Sequence, residues 1–455
     1  MRIAFFSPMP PAKSGIADYS EALVDELAKI ASVDVFSEAA PDLDRSRYDV
    51  ALYQIGNNPF HTFAYEQALE WPGVVVLHEA NLHHLITDLT IRRQDWDAYL
   101  AEVAFDGGPQ ALEYACKYVR TLQRGPDYDG VPMLRRICSV STGVIAHSAF
   151  VEQAARAAGF NGPSAVIPHG AWIPEANRIQ WRHKLGIRDQ SPLFGVFGFL
   201  KAYKRIEPTL RAFARLVRLQ PSAKLILVGE PHPELPIYDL IDRFGLAENA
   251  RVIGFAPIED FVGYIAACDA IVNLRFPTVG ESSGTLLRAL GLGKATIVSD
   301  VGSFAELPDE ICLKVPVDST EEDLLFEYMN LLAMRPSIRD RLGAAARTWV
   351  SQECPWDLVA RRYLDFLEGK PSCRNEAKPF CRNEAKSSAL GDTTSVEDAP
   401  EPEPSAPVEP SYLIGWARQD ASGEAYVRGH LTRLTKTLEM TPPGTVNDAI
   451  LEMGA

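Results

Sequence analysis

From residue 1 to about residue 350, short apolar or β-branched runs alternate with longer stretches whose apolar residues recur at helical spacing. Strand candidates in the first half are Arg2-Ile-Ala-Phe-Phe, Val33 to Phe36, Val50 to Tyr53, Val74 to Leu77, Gly143 to Ala146 and Ala165 to Pro168. Asp18 to Ile30 carries the first helical pattern, after a loop from Pro8 to Ser14. Strands that are apolar throughout are buried on both faces, so the pattern predicts parallel sheets covered by helices. A second series follows the polar stretch Glu175 to Gln190 and runs through Leu193–Phe197, Lys224–Val228, Arg251–Gly254, Ala270–Leu274 and Ala295–Val298. One sheet of ten or more strands would be unusual. The expected fold class is therefore α/β, with two doubly wound parallel-sheet domains, residues 1–178 and 179–352, facing a central cleft. Ligands of such sheets bind beyond the carboxyl ends of the strands, which directs attention to the loops there.

After Gly369 the pattern stops. Cys373-Arg-Asn-Glu-Ala-Lys recurs as Cys381-Arg-Asn-Glu-Ala-Lys, and an acidic proline-rich run begins at Pro400. Residues 371–411 read as a disordered linker, too polar to bury a core. The twin cysteine repeat is either a duplicated linker piece, the plainer reading, or a metal or redox pair. Residues 412–455 regain apolar content, and Asp448-Ala-Ile-Leu-Glu-Met-Gly-Ala resembles the first strand and opening loop of an S-adenosylmethionine-dependent methyltransferase. The glycine-rich remainder is missing, so a truncated or split methyltransferase-like segment is expected there, one unable to bind a cofactor itself.

Composition narrows the class. With 455 residues, 46% hydrophobic and 23% charged, the chain is an ordinary globular one of two sizeable domains plus something smaller. A formal charge of -15 argues against a dedicated nucleic-acid binder. No apolar run approaches the roughly 18 residues that cross a bilayer, and prolines at 8, 10 and 11 interrupt any signal-peptide core, so a cytoplasmic location is expected. Seven cysteines at scattered positions fit reduced thiols, with Cys116, Cys138, Cys268, Cys312 and Cys354 read as core residues and no metal-ligand spacing among them.

Candidate chemistry sits in five loops. Ser7 to Ala17 follows the first strand, and Gly15 there either lets a ligand phosphate approach a helix N-terminus or is a plain turn glycine. Gly198-Phe-Leu-Lys-Ala-Tyr-Lys-Arg-Ile offers Lys204, to neutralise phosphate or as a solvated charge at a helix start. The block from Arg275 to Asp300 lies between two strands and predicts a helix beginning near Ser283. Hydroxyls of Ser283 and Thr285, with the open backbone of Gly284, suit the diphosphate of a nucleotide. Glu281 then accepts from sugar hydroxyls, unless it caps the helix or is a surface charge. In Val166-Ile-Pro-His-Gly and His147-Ser-Ala-Phe, His169 and Ser148 are cleft candidates with structural alternatives; Arg275 is a third.

These elements resemble glycosyltransferase family 4, the retaining GT-B enzymes of group 1 type, over about residues 1 to 370. The resemblance rests on the strand–Glu–x–x–Gly–helix–Gly–x–Gly–Lys–strand block, on Ile167-Pro-His-Gly and on Gly198 to Lys204. It implies hexose transfer from a nucleotide-diphosphate-sugar to a hydroxyl of a glycan or lipid-linked acceptor in polysaccharide biosynthesis, without metal or other cofactor. By resemblance, Gly15 meets donor phosphate, Lys204 balances the diphosphate charge, Glu281 holds a sugar hydroxyl and His78 lies beside the donor sugar, so the catalytic set is Glu281, His78 and Lys204. Residues 353–370 are similar to the family's last helix, which returns to the first domain. Two departures stand out: Ala289 or Arg288 replaces the second glutamate, which binds ribose, and Phe199 replaces a phosphate-binding arginine. An arginine cannot accept from ribose hydroxyls but binds phosphate or a donor carboxylate bidentately. Either the donor is held differently or activity is reduced, which leaves an idle GT-B scaffold and a nucleotide-sugar 2-epimerase as rival readings. Basic residues Arg92, Arg93, Lys117, Arg120, Arg124, Arg135 and Arg136 lie on ordinary solvated helix faces or make a peripheral contact with an anionic membrane or acidic glycan.

Overall fold

The structure is a computed structural model that describes residues 1–12 and 14–370. The cysteine repeat, the proline-rich linker and the methyltransferase-like segment lie outside the described residues. The first sheet holds β1 (Arg2–Phe6), β2 (Ser32–Phe36), β3 (Val50–Ile55), β4 (Val74–Leu77), β5 (Gly143–Ala146) and β6 (Ser164–Val166), in the order β2-β1-β3-β4-β5-β6. The second holds β7 (Leu193–Phe197), β8 (Lys224–Val228), β9 (Ala250–Gly254), β10 (Ala270–Asn273), β11 (Ala295–Ser299) and β12 (Leu313–Val315), in the order β12-β11-β10-β7-β8-β9. Neighbouring strands run parallel throughout, so the α/β class and the GT-B arrangement of two sheets expected from the sequence are what is observed.

Alternation along β1 shows how the sequence makes a doubly covered sheet. Ile3 and Phe5 pack into one helix layer, Ala4 and Phe6 into the other, and all four are fully buried. The helix Gly15–Leu27 covers the first of these faces through Tyr19, Leu23 and Leu27. The helix Trp356–Leu367 packs on the same face through Val359, Ala360 and Tyr363, and Tyr19 and Tyr363 join their hydroxyls at 2.7 Å. The chain thus crosses between the sheets twice, and the Ala171 amide donates to the Cys354 carbonyl at 2.9 Å where the two crossings meet.

Some details differ from the pattern. The first helix starts at Gly15 rather than Asp18, because the Ser14 hydroxyl accepts from the Ile16 amide and begins the helix early. β12 is only three residues, Leu-Lys-Val, too short to show a period. Cys138, Cys268, Cys312 and Cys354 are buried, whereas Cys116 is exposed and is corrected from the core assignment. No helix among the described residues is long and apolar enough to cross a membrane.

Candidate active site in the interdomain cleft

Strand order reverses between β1 and β3 in one sheet and between β7 and β10 in the other. Loops beyond these points face each other across a cleft of about 220 Å³. Gly15 and Asp18 of the first helix line it, with His78 and Glu79 beyond β4, His169 and Trp172 beyond β6, and Glu281, Gly284 and Arg288 from the second domain. The interface is tied by the Ala80 amide, which donates to the Val279 carbonyl at 2.6 Å. The Glu306 carboxylate also accepts from the amides of Ala149 and Phe150 at 2.8 and 2.6 Å.

Two helix N-termini meet here. A Cβ added at Gly15 would meet nothing within 4 Å, so the backbone there faces open space. The helix Gly284–Gly291 is capped by Ser283, whose hydroxyl accepts from the Leu286 amide at 3.2 Å and donates to Asn273 Oδ1 at 3.1 Å. Glu281 is not that cap. Its Oε2 accepts from the Thr278 hydroxyl at 2.8 Å and the Val279 amide at 3.1 Å, and Oε1 sits 3.4 Å from Arg275 Nε.

Lys204 is no solvated charge: only 5% of it is exposed, and its Nζ donates to the Phe197 carbonyl at 2.6 Å. Gly198 makes room for it, with a φ of +82° and a position where a Cβ would fall 2.9 Å from Lys204 Nζ. Burial, together with the nearby Arg275 cation, holds the Lys204 ammonium well below the ordinary lysine range, against the pull of Glu281. Arg275 is 7% exposed, and its Nε and Nη1 have no hydrogen-bond partner. Its other contacts are Ser283 Oγ at 3.5 Å and the Tyr203 ring, 5.2 Å away. Two buried basic side chains therefore lie near one carboxylate, Glu281.

Arg288 lies 4.0 Å over the Trp172 ring and donates to the Gly284 carbonyl at 3.2 Å. Burial lowers its pKa while Asp18 opposes the shift. His78 is 6% exposed and hydrogen-bonds Gln54 Oε1 through Nε2 at 2.7 Å. Around Tyr19 pack the rings of His78, His147 and His169, at 5.0, 5.1 and 4.5 Å. Burial drives all three imidazoles toward the neutral form, His147 to about 4 and His169 to about 3. Ser148 caps the helix Ala149–Ala157 by accepting from the Val151 amide at 3.3 Å and is not among the residues lining the cleft.

Sequence reasoning passed over Glu79. Its Oε1 accepts from the Asn57 amide at 2.7 Å, and burial plus the nearby Glu281 charge push its carboxyl up to about 7. Of the basic residues noted above, Arg92, Arg93, Arg120 and Arg136 pair with Asp88, Glu66, Asp97 and Glu102, and Arg135 bonds the Phe105 carbonyl. Lys117 and Arg124 flank the Tyr118 ring. No group of three or more histidine, cysteine, aspartate or glutamate side chains suited to a metal occurs among the described residues.

Residues 177–349 match the family model described as Glycosyl transferases group 1. A GDP-mannose-dependent monoacylated alpha-(1-6)-phosphatidylinositol monomannoside mannosyltransferase of Corynebacterium glutamicum is 24% identical over 199 residues, 42% of this chain and 50% of that protein. D-inositol 3-phosphate glycosyltransferase of Thermobifida fusca is 25% identical over 205 residues, 42% of this chain and 46% of that protein. The match thus spans about half the length of these relatives. Among solved structures, HepE of Anabaena in complex with UDP and glucose superposes with a TM-score of 0.56 and 16% identity, covering 81% of this chain and 100% of that one. Sucrose-phosphate synthase from Thermosynechococcus elongatus gives a TM-score of 0.57 and 17% identity, covering 81% and 98%. These two likenesses are of fold.

Proposed function

We propose that the protein is a glycosyltransferase that moves a hexose from a nucleotide-diphosphate-sugar to a hydroxyl of a glycan or lipid-linked acceptor, with the anomeric configuration retained and no metal. The observation that carries this reading is the pair of buried basic side chains, Lys204 and Arg275, with the single carboxylate of Glu281 near them, beside the N-terminus of the helix Gly284–Gly291. Burying an uncompensated cation is costly, and a bound anion relieves that cost. In this reading a diphosphate is met by the amides of Gly284 and Thr285, with Lys204 and Arg275 behind them, and by Gly15 on the other side; of these, Gly15 and Gly284 line the cleft. One of these relatives is named as a GDP-mannose-dependent mannosyltransferase, and HepE was crystallised with UDP and glucose, in keeping with such a donor.

As the bond from the sugar C1 to the phosphate oxygen breaks, negative charge grows on the diphosphate. Preorganised amides and cations stabilise that charge more in the transition state than in the ground state. Arg275 stands in for the arginine that Phe199 displaces. Arg288, stacked on Trp172, grips phosphate rather than ribose, so the donor is held chiefly through its phosphates. Glu281, fixed by Thr278 and Val279, accepts from a hydroxyl of the transferred sugar. Calorimetry of the purified protein with UDP-glucose and GDP-mannose tests the reading: binding of at least one is expected, and binding of neither ends it.

One observation favours a second reading. Glu79 and Glu281 line the same cleft from opposite domains, and two carboxylates are what a nucleotide-sugar 2-epimerase uses to move a proton at C2. Incubating UDP-N-acetylglucosamine with the protein in heavy water separates the two readings, since only the epimerase places deuterium at C2.

A further inference from the structure

β3 runs Val-Ala-Leu-Tyr-Gln-Ile, with one amide side chain in an otherwise apolar and aromatic strand. That residue, Gln54, is fully buried. Its Oε1 lies 2.7 Å from His78 Nε2, and its own Nε2 has no hydrogen-bond partner. A buried amide is costly where half its bonding capacity goes unmet, and a leucine or methionine would fill the same strand position without that cost. The amide therefore serves the ring it touches. His78 lies beyond β4 and lines the cleft. Its ring packs edge-on to Tyr19 at 5.0 Å and tilts against His147 at 4.8 Å, so it has little freedom to turn. Among the described residues its Nδ1 makes no hydrogen bond. The Gln54 carbonyl is itself bonded by His61 Nδ1 at 2.9 Å, which steadies this end of the strand.

We propose that Gln54 is a positioning residue: by accepting from Nε2 it keeps the His78 proton there and leaves Nδ1 as a neutral acceptor for a hydroxyl of the donor sugar. This rests on the transferase reading. A neutral imidazole carries one proton between two nitrogens, so the bond made by one nitrogen sets the role of the other. As the bond from C1 to the phosphate oxygen breaks, the sugar gains positive charge. A neutral ring that accepts from a sugar hydroxyl favours that state, whereas an imidazolium opposes it. Burial first, and then the imidazoles of His147, His169 and His61, keep the His78 ring neutral. The other titratable groups beside it are Tyr19, from the helix Gly15–Leu27, and the adjoining Glu79. Gln54 holds the ring without adding charge. A carboxylate at the same place would hold it as well but draw it toward the protonated form.

The test uses the full chain with isotope-labelled histidine, and H78N identifies the His78 signals in the nitrogen NMR spectrum. Calorimetry first shows which of UDP-glucose and GDP-mannose the protein binds. The expected spectrum has His78 neutral with its proton on Nε2, and its Nδ1 signal moves when that donor is added. Sugar released from the donor to water, or passed to a panel of glucosides and mannosides, is then followed in wild type, Q54M and Q54E from about pH 5.5 to 8. Circular dichroism checks the fold of each variant. Q54M frees the ring and is expected to lose about tenfold in kcat, with the KM for donor within about twofold. Q54E keeps the shape and the bond but favours imidazolium, so its kcat relative to wild type is expected to fall as pH drops through about 6.5. The proton found on Nδ1, or an Nδ1 signal indifferent to donor, overturns the inference and leaves the transferase reading standing. So does Q54M turning over within about twofold of wild type, or a Q54E profile parallel to that of wild type. The wild-type spectrum decides the matter even where a variant fails to fold. A wild type that binds neither donor brings down both.

Discussion

Lys204 shows what burial does to a single charge. Its ammonium is held below the ordinary range by desolvation and by Arg275, so its buried surroundings resist protonating it. A bound diphosphate reverses that preference, and donor binding then takes up a proton. Donor affinity is accordingly expected to be full at low pH and to fall as pH rises from the depressed Lys204 pKa toward the usual lysine value near 10.4. Calorimetry in buffers of differing ionisation enthalpy checks this, and K204M is expected to remove the effect along with about tenfold or more of the affinity. Removing Arg275 (R275A) is expected to weaken donor binding by about 2 kcal/mol, read from the change in Kd, because its buried Nη1 has no hydrogen-bond partner within the protein. The imidazoles of His147 and His169 predict an acid limb. Their pKa values are lower folded than unfolded, so stability is whole above about 6.5 and drops as pH falls toward 4, as the unfolded chain binds protons that the buried rings refuse. Urea unfolding at stepped pH, with H147N flattening the slope, is the check. Legibility at this scale was uneven. Glu281 and Lys204 stand out through spacing and loop position, whereas Glu79 reads as an ordinary charge after a strand, because its character comes from Asn57 and Glu281, distant in sequence.

Elements were more legible than residues, because strand and helix periods are local. The apolar runs that form β1, β4, β5 and β7 are near-continuous, which only a doubly covered strand tolerates. Boundaries were less so: Ser14 advances the first helix to Gly15 through a cap that a hydrophobic pattern does not register. The same device governs the second helix end at the cleft. S283A removes both the cap on Leu286 and the bond to Asn273, and is expected to cost about 1 kcal/mol of stability. Thermal unfolding measures that loss, and a concurrent drop in donor affinity would show that the cap also sets the amides toward the ligand. Substituting Gly198 is expected to be harsher than its position in a loop implies, since an added methyl meets Lys204 Nζ at a left-handed backbone position.

At the level of the whole molecule, the two sheets meet through few polar ties. The Glu306 carboxylate on the amides of Ala149 and Phe150 is one that joins a side chain of the second domain to a helix start of the first. E306A is expected to enlarge the radius of gyration in small-angle scattering and to raise the KM for donor, leaving the unfolding midpoint of each domain nearly unchanged. The two sheets could be read from the sequence through the polar gap before Leu193, but not which loops touch, because packing across the cleft joins residues more than a hundred apart.

The bond from Ala171 to Cys354 has a mechanical meaning of its own. The two passages of chain between the sheets are pinned side by side, so they act as one hinge rather than two tethers. An opening of the cleft is then expected to swing about that pin, with the lips where Gly15 and Gly284 lie travelling farthest.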